Sequence, residues 1–149
     1  MLKKGDQIPE ITLKDQDNNK VNLQNFKGKP LVIFFYPKDN TYMCTAQACS
    51  FRDHFDEFLQ FNAYIVGISK DSVTSHAKVI NKRKLPFPLL SDPYGQALKA
   101  FKVSTYLFGF MSARCTFIID KEGVVQHSFR EDFKADYHIK KSIEILSGI

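Results

Sequence analysis

The run Leu31-Val32-Ile33-Phe34-Phe35-Tyr36, followed at once by Pro37-Lys38-Asp39-Asn40-Thr41-Tyr42-Met43-Cys44, decides the fold of this chain. A short unbroken apolar run ended by a proline predicts a buried strand that stops at Pro37. A helical pattern sets in near Thr41, which puts Cys44 in or just before a first helical turn. Backbone N–H groups are unpaired there and the helix dipole favours an anion, here a thiolate. Cys49 lies five residues further on. The residues by themselves predict a reactive thiol with a second thiol within reach.

Working outward, Ile11-Thr12-Leu13 and Val21-Asn22-Leu23 flank a polar stretch and predict a hairpin. Residues 45–61 alternate Phe51, Phe55, Phe58 and Leu59 with Arg52, Asp53, Asp56 and Glu57, the pattern of one amphipathic helix. A second buried strand is predicted over 64–69 and a helix over 73–83. The stretch 85–90 reads as extended, with Pro86 and Pro88 suiting a sheet edge. A short helix is predicted over 96–101, a hairpin with strands 116–120 and 124–129, and a closing helix over 137–146. Strands and helices alternating in this order call for an α/β fold, a mixed central sheet with helices on both faces.

The 149 residues make one domain, long enough for a sizeable core. No apolar stretch approaches membrane-spanning length, so no membrane association is expected. The start lacks an apolar h-region, and three cysteines, an odd number, argue against a secreted disulfide framework. The expected location is the cytosol. The net charge of +5 is spread along the chain, and its densest cluster is only Lys82-Arg83-Lys84, so no nucleic-acid partner is expected. The four histidines, His54, His76, His127 and His138, show no paired spacing; exposed or partly buried roles are expected for them, and no metal site. Cys44 and Cys49 are not spaced as C-x-x-C, which counts against a disulfide reductase.

The pattern P-x-x-x-T-x-x-C from Pro37 to Cys44, its continuation to Cys49, and Phe51-Arg52-Asp53 resemble a peroxiredoxin. In particular they are similar to the mostly monomeric branch called bacterioferritin comigratory protein or peroxiredoxin Q. Weaker pieces follow in the same order along nearly the whole chain: Gly5-Asp6-Gln7-Ile8-Pro9, Phe26-Lys27-Gly28-Lys29, Leu89-Leu90-Ser91-Asp92 and Arg114-Cys115-Thr116-Phe117. The resemblance implies a thioredoxin-like fold and a thiol peroxidase that needs no cofactor and acts on hydrogen peroxide and small organic hydroperoxides. It implies a monomer recycled by thioredoxin or a similar dithiol donor.

It also implies roles for single residues. Cys44 would attack the peroxide. Arg114, otherwise an ordinary strand-end arginine, would stabilise the thiolate and bind peroxide oxygens. Thr41 would hold a peroxide oxygen, a role compatible with a helix N-cap worth about 1 kcal/mol. Pro37, which has no N–H, would roof the sulfur. Cys49 would resolve the sulfenic acid as a disulfide, the competing reading being a buried helix cysteine. Cys115 points opposite to Arg114 in a strand and reads as packing. Two rivals stand beside this reading: a one-cysteine peroxidase with Cys49 structural, and a non-enzymatic binding or chaperone-like protein of the same fold. The chain departs from the family in carrying Tyr42-Met43 where Pro-Gly is usual and Gln47 where many members have Glu. Its 103–113 segment is also short and contains the apolar run 106–111.

Overall fold

The computed structural model describes residues 1–109 and 111–149. The decisive strand, β3 (Leu31–Phe35), is buried on both faces along its whole length, as an unbroken apolar run requires. It lies between β4 (Tyr64–Ser69), to which it is parallel, and β8 (Cys115–Ile119), to which it is antiparallel. With β1 (Thr12–Lys14), β2 (Lys20–Asn22), β5 (Leu89–Ser91) and β9 (Val125–Arg130) these form a mixed seven-stranded sheet in the order β2-β1-β5-β4-β3-β8-β9.

Side-chain alternation divides the core in two. Val32, Phe34, Ile65, Leu89 and Ile118 face α1 (Tyr42–Asp53), α2 (Phe55–Gln60), α3 (Val73–Arg83) and α5 (Ala135–Ser147). Leu31, Ile33, Phe35, Cys115 and Phe117 face the other way, toward the short α4 (Gln96–Ala100) and the N-terminal residues Leu2, Ile8 and Ile11. Helices therefore cover both faces, very unevenly.

The boundaries of β4 and α3 match the sequence reading. Serine at 72 caps α3 by accepting from Ser75 N, and Lys84 ends it in the left-handed conformation. Two expectations need correction, and one feature is new. The single helix over 45–61 is two, because at His54 the backbone leaves helical geometry and the ring Nδ1 lies 2.9 Å from the Ser50 carbonyl oxygen. The strand at 85–90 is not an edge: the N-terminal hairpin pairs beyond it through Lys14 and Ser91, and both prolines precede the strand. A second small sheet, β6 (Thr105–Tyr106) with β7 (Met111–Ser112), has no counterpart in the sequence reading. Its connecting turn sets Leu107 and Phe108 at positive φ, where glycine or asparagine is the usual signal.

Gly67 shows how tightly the layers close. A Cβ there would meet Leu89 Cδ2 at 2.6 Å and Phe34 Cζ at 2.7 Å. Phe34 cannot step aside freely, since its ring stacks on Phe51 at 4.6 Å between centroids and meets Phe87 edge-on. Gly67→Ala is expected to destabilise the fold by about 1–3 kcal/mol, read from denaturant unfolding midpoints.

Candidate active site

The strand-to-helix junction places the cysteine as the sequence predicts. Helix α1 starts at Tyr42, so Cys44 occupies its first turn, and the helix runs unbroken past Cys49. Thr41 stands at the N-cap with extended backbone, but its side chain makes no cap bond. Its hydroxyl instead donates to the Lys38 carbonyl oxygen at 3.0 Å, which leaves its lone pairs free to accept.

Arg114 reaches the sulfur from the other side. It immediately precedes β8, with its backbone held by Asp132 Oδ1 at 3.1 Å and by Glu131 N donating to its carbonyl oxygen. Its Nη2 donates to Cys44 Sγ at 3.0 Å and its Nη1 to Gln47 Oε1 at 3.0 Å. The guanidinium thus bridges two residues one turn apart on α1, and Cys44 and Arg114 are only 4% and 6% exposed. A cation so far out of water interacts with a thiolate much more strongly than a surface pair does. Gln47 is the site residue that sequence reasoning passed over as a departure from the family pattern. Its amide Nε2 is buried without a partner, so the side chain is set by its bond to Arg114 rather than by a full hydrogen-bond complement.

Pro37 and Arg114 line a surface concavity of about 320 Å³ together with Tyr106, Arg130, Asp132 and Phe133. Arg130 Nε donates to Asp132 Oδ2 at 2.7 Å in its wall. Tyr42 is 87% exposed, and neither it nor Met43 lines this concavity. Of the apolar run 106–111, Tyr106 joins the wall and Leu107 and Phe108 face solvent; Phe110 lies outside the described residues.

The three thiols are all free. Cys49 is half-buried on α1. Five residues along a regular helix separate its Cα from that of Cys44 by ~8–9 Å, beyond the ~7 Å that a disulfide spans without backbone movement. Cys115 lies in the opposite core layer, and burial pushes its thiol up to about 11. The histidine expectation needs correction: His76 and His138 are fully buried. His138 Nε2 donates to the Glu131 carbonyl oxygen at 2.7 Å, so Nδ1 accepts from Thr116 Oγ1, and burial holds the ring below its ordinary pKa. Among the described residues no cluster of His, Cys, Asp or Glu could hold a metal ion, and no helix is long and apolar enough to cross a membrane.

Residues 4–128 match the AhpC/TSA family. The chain is 44% identical over 146 residues to a chloroplastic peroxiredoxin Q of Sedum lineare, covering 98% of this chain and 78% of that protein. It is 43% identical to a chloroplastic peroxiredoxin Q of Oryza sativa subsp. japonica, covering 99% and 68%. Among solved structures, peroxidoxin BcpB of Mycobacterium tuberculosis superposes with a TM-score of 0.93 at 36% identity, covering 100% and 99% of the two chains. Bacterioferritin comigratory protein of Xanthomonas campestris, studied for alkyl peroxide reduction, superposes at 0.85 with 28% identity, covering 96% and 98%.

Proposed function

This chain belongs to the AhpC/TSA family and is a peroxiredoxin of thioredoxin-like fold, a thiol-dependent peroxidase, and from that premise we propose how its own residues divide the work. Cys44 attacks as the thiolate. Its sulfur takes the terminal oxygen of the peroxide to give a sulfenic acid, the O–O bond breaks, and the leaving oxygen departs as water or an alcohol once protonated. The observation that carries this reading is the 3.0 Å contact of Arg114 Nη2 with Cys44 Sγ inside a buried site. The guanidinium lies where charge builds on the departing oxygen, the Thr41 hydroxyl accepts from the peroxide O–H, and Pro37 shields the sulfur without offering a competing donor.

Cys49 then condenses with the sulfenic acid, releasing water and leaving a Cys44–Cys49 disulfide. A thioredoxin-like dithiol returns it to two thiols. The substrates are hydrogen peroxide and small organic hydroperoxides. The monomeric state and cytosolic location expected from the sequence belong to this proposal as well. Peroxide consumption with and without thioredoxin and its reductase tests it. Sustained turnover only with the full donor system is expected. Turnover with simple thiols alone and no Cys44–Cys49 bond would favour a one-cysteine enzyme, and no consumption at all would favour a binding protein.

Because the cysteines are too far apart on an intact helix, resolution requires the start of α1 to unwind. The site divides at the right place. Before Cys49 only the small side chains Cys44 and Ala48 pack into the core, and Arg114 ties the turn through Cys44 and Gln47. Beyond it, Phe51 is wholly buried against Phe34 and Phe58, and Ser50 Oγ donates to Asp136 Oδ1 of α5 at 3.1 Å. In the disulfide form, amide hydrogen exchange is expected to show lost protection over residues 44–49 and retained protection from Phe51 onward. Equal protection over that segment in protein shown by mass spectrometry to hold the bond would exclude unwinding.

A further inference from the structure

The loop between β3 and α1 is tied down from below by a group of buried polar side chains that the chemistry above does not use. Asp39 lies in this loop and is almost fully buried. Its Oδ1 accepts from Tyr36 Oη at 2.6 Å, and its Oδ2 accepts from Ser75 Oγ at 2.8 Å and lies 2.7 Å from His76 Nδ1. His76 Nε2 lies 3.1 Å from the Leu90 carbonyl oxygen. A carbonyl oxygen only accepts, so Nε2 carries a proton. His76 Nδ1 faces the Asp39 carboxylate, and the two side chains are 0% and 2% exposed. Burial raises the Asp39 carboxyl, but its bonds to His76, Tyr36 and Ser75 outweigh that and hold it below the ordinary carboxylate range.

The backbone of the same residue is fixed too. Asp39 N donates to Asp71 Oδ2 at 2.8 Å, and that carboxylate also accepts from Ser69 Oγ. One loop residue is therefore anchored directly to α3 and to Asp71 just after β4, and through His76 to β5. Asp39 and Cys44 line a common small, partly open concavity of about 10 Å³ with Tyr36, Asn40 and Thr45, so the anchored loop and the thiol-bearing turn lie side by side. A buried carboxylate that ties a loop to a helix is costly to strip of its hydrogen-bond partners, because the polar group is then left unsatisfied out of water.

We propose that Asp39 and His76 form a positioning latch: the pair holds residues 37–40 against α3, keeps Thr41 and the first turn of α1 seated with Cys44 on Arg114, and must slacken when that turn unwinds for disulfide formation. Neither residue touches the peroxide. The inference rests on the assignment of Cys44 and Cys49 above. Its signature is a split between two steps. A weaker latch misplaces the sulfur before attack and eases its release afterwards, whereas a merely structural role lowers both steps together.

Stopped-flow oxidation of the reduced protein by hydrogen peroxide separates the steps in wild type, Asp39→Asn and Ser75→Ala, with thermal melts and amide exchange alongside. Asp39→Asn keeps the shape but removes the charge. It is expected to slow attack on peroxide about tenfold while disulfide closure holds its rate or quickens. Amides of residues 40–48 should exchange faster, with those of β3, β4 and α5 unchanged. Ser75→Ala removes one of the three hydrogen bonds to the Asp39 carboxylate and should show the same split, smaller; it decides the matter should Asp39→Asn fail to fold. Attack within about twofold of wild type in every folded variant, or attack and closure falling by the same factor, overturns the latch. Should wild type form no Cys44–Cys49 bond, the role of Cys49 fails, while attack rate and exchange over 40–48 still decide the latch.

Discussion

Cys44→Ser is expected to abolish peroxide turnover, while Cys115→Ala keeps nearly the full rate. A serine hydroxyl at this helix start stays protonated near neutral pH and is far less nucleophilic toward an O–O bond than a thiolate. Arg114 and Thr41 would remain, but with nothing to deliver. Cys115 cannot substitute. It points into the other core layer, has no exposed surface, and burial pushes its thiol up to about 11, so it is almost wholly protonated near neutral pH. Removing its sulfur leaves a small core cavity and costs stability, about 1 kcal/mol, rather than rate. Coupled consumption of hydrogen peroxide reads both variants. Comparable losses in the two would sink the assignment of Cys44.

Arg114→Ala is expected to lower the second-order rate of Cys44 oxidation by about 10²–10³-fold, the usual loss when a buried charge-stabilising donor is removed. The change deletes the donor at 3.0 Å from Sγ and also leaves Gln47 Oε1 without its partner. Arg114→Lys should recover only part of the rate. A single ammonium restores the charge, but it cannot hold the sulfur and the Gln47 oxygen with two nitrogens of one rigid plane. Stopped-flow oxidation measures both, with thermal melts to separate rate from folding. A rate within about threefold of wild type for Arg114→Ala would return Arg114 to a structural role.

The parts of this site legible in the sequence are those written locally. An unbroken apolar run, a proline and a cysteine at helix-start spacing are enough to place β3, the loop and Cys44, because each depends on neighbours a few residues away. Ser72 and Lys84 bound α3 for the same reason. What stayed hidden depends on distant partners. Gln47 is an unremarkable helix polar until Arg114, 67 residues later, donates to it. His76 looks like a surface histidine until Asp39, 37 residues earlier, meets it in the core. The β6–β7 hairpin went unread because Leu107 and Phe108 occupy turn positions that local chemistry disfavours. The edge assignment for 85–90 failed because which strand is outermost is set by where the N-terminal hairpin docks.

Under the resolving role proposed for Cys49, the unbroken passage of α1 through both Cys44 and Cys49 makes the helix a timer. After the first oxidation, the sulfenic acid would wait beside Arg114 for as long as the first turns stay wound, still open to a second peroxide. Two fates then compete: unwinding, whose rate is a property of the chain alone, and a second encounter with peroxide, whose rate grows with dose and carries the sulfur irreversibly to the sulfinic acid. At low dose, on that proposal, unwinding wins and the disulfide is formed and recycled. Above the dose at which the two rates match, each turnover risks ending the enzyme's life, so the winding stability of one and a half helical turns fixes the peroxide load this protein survives.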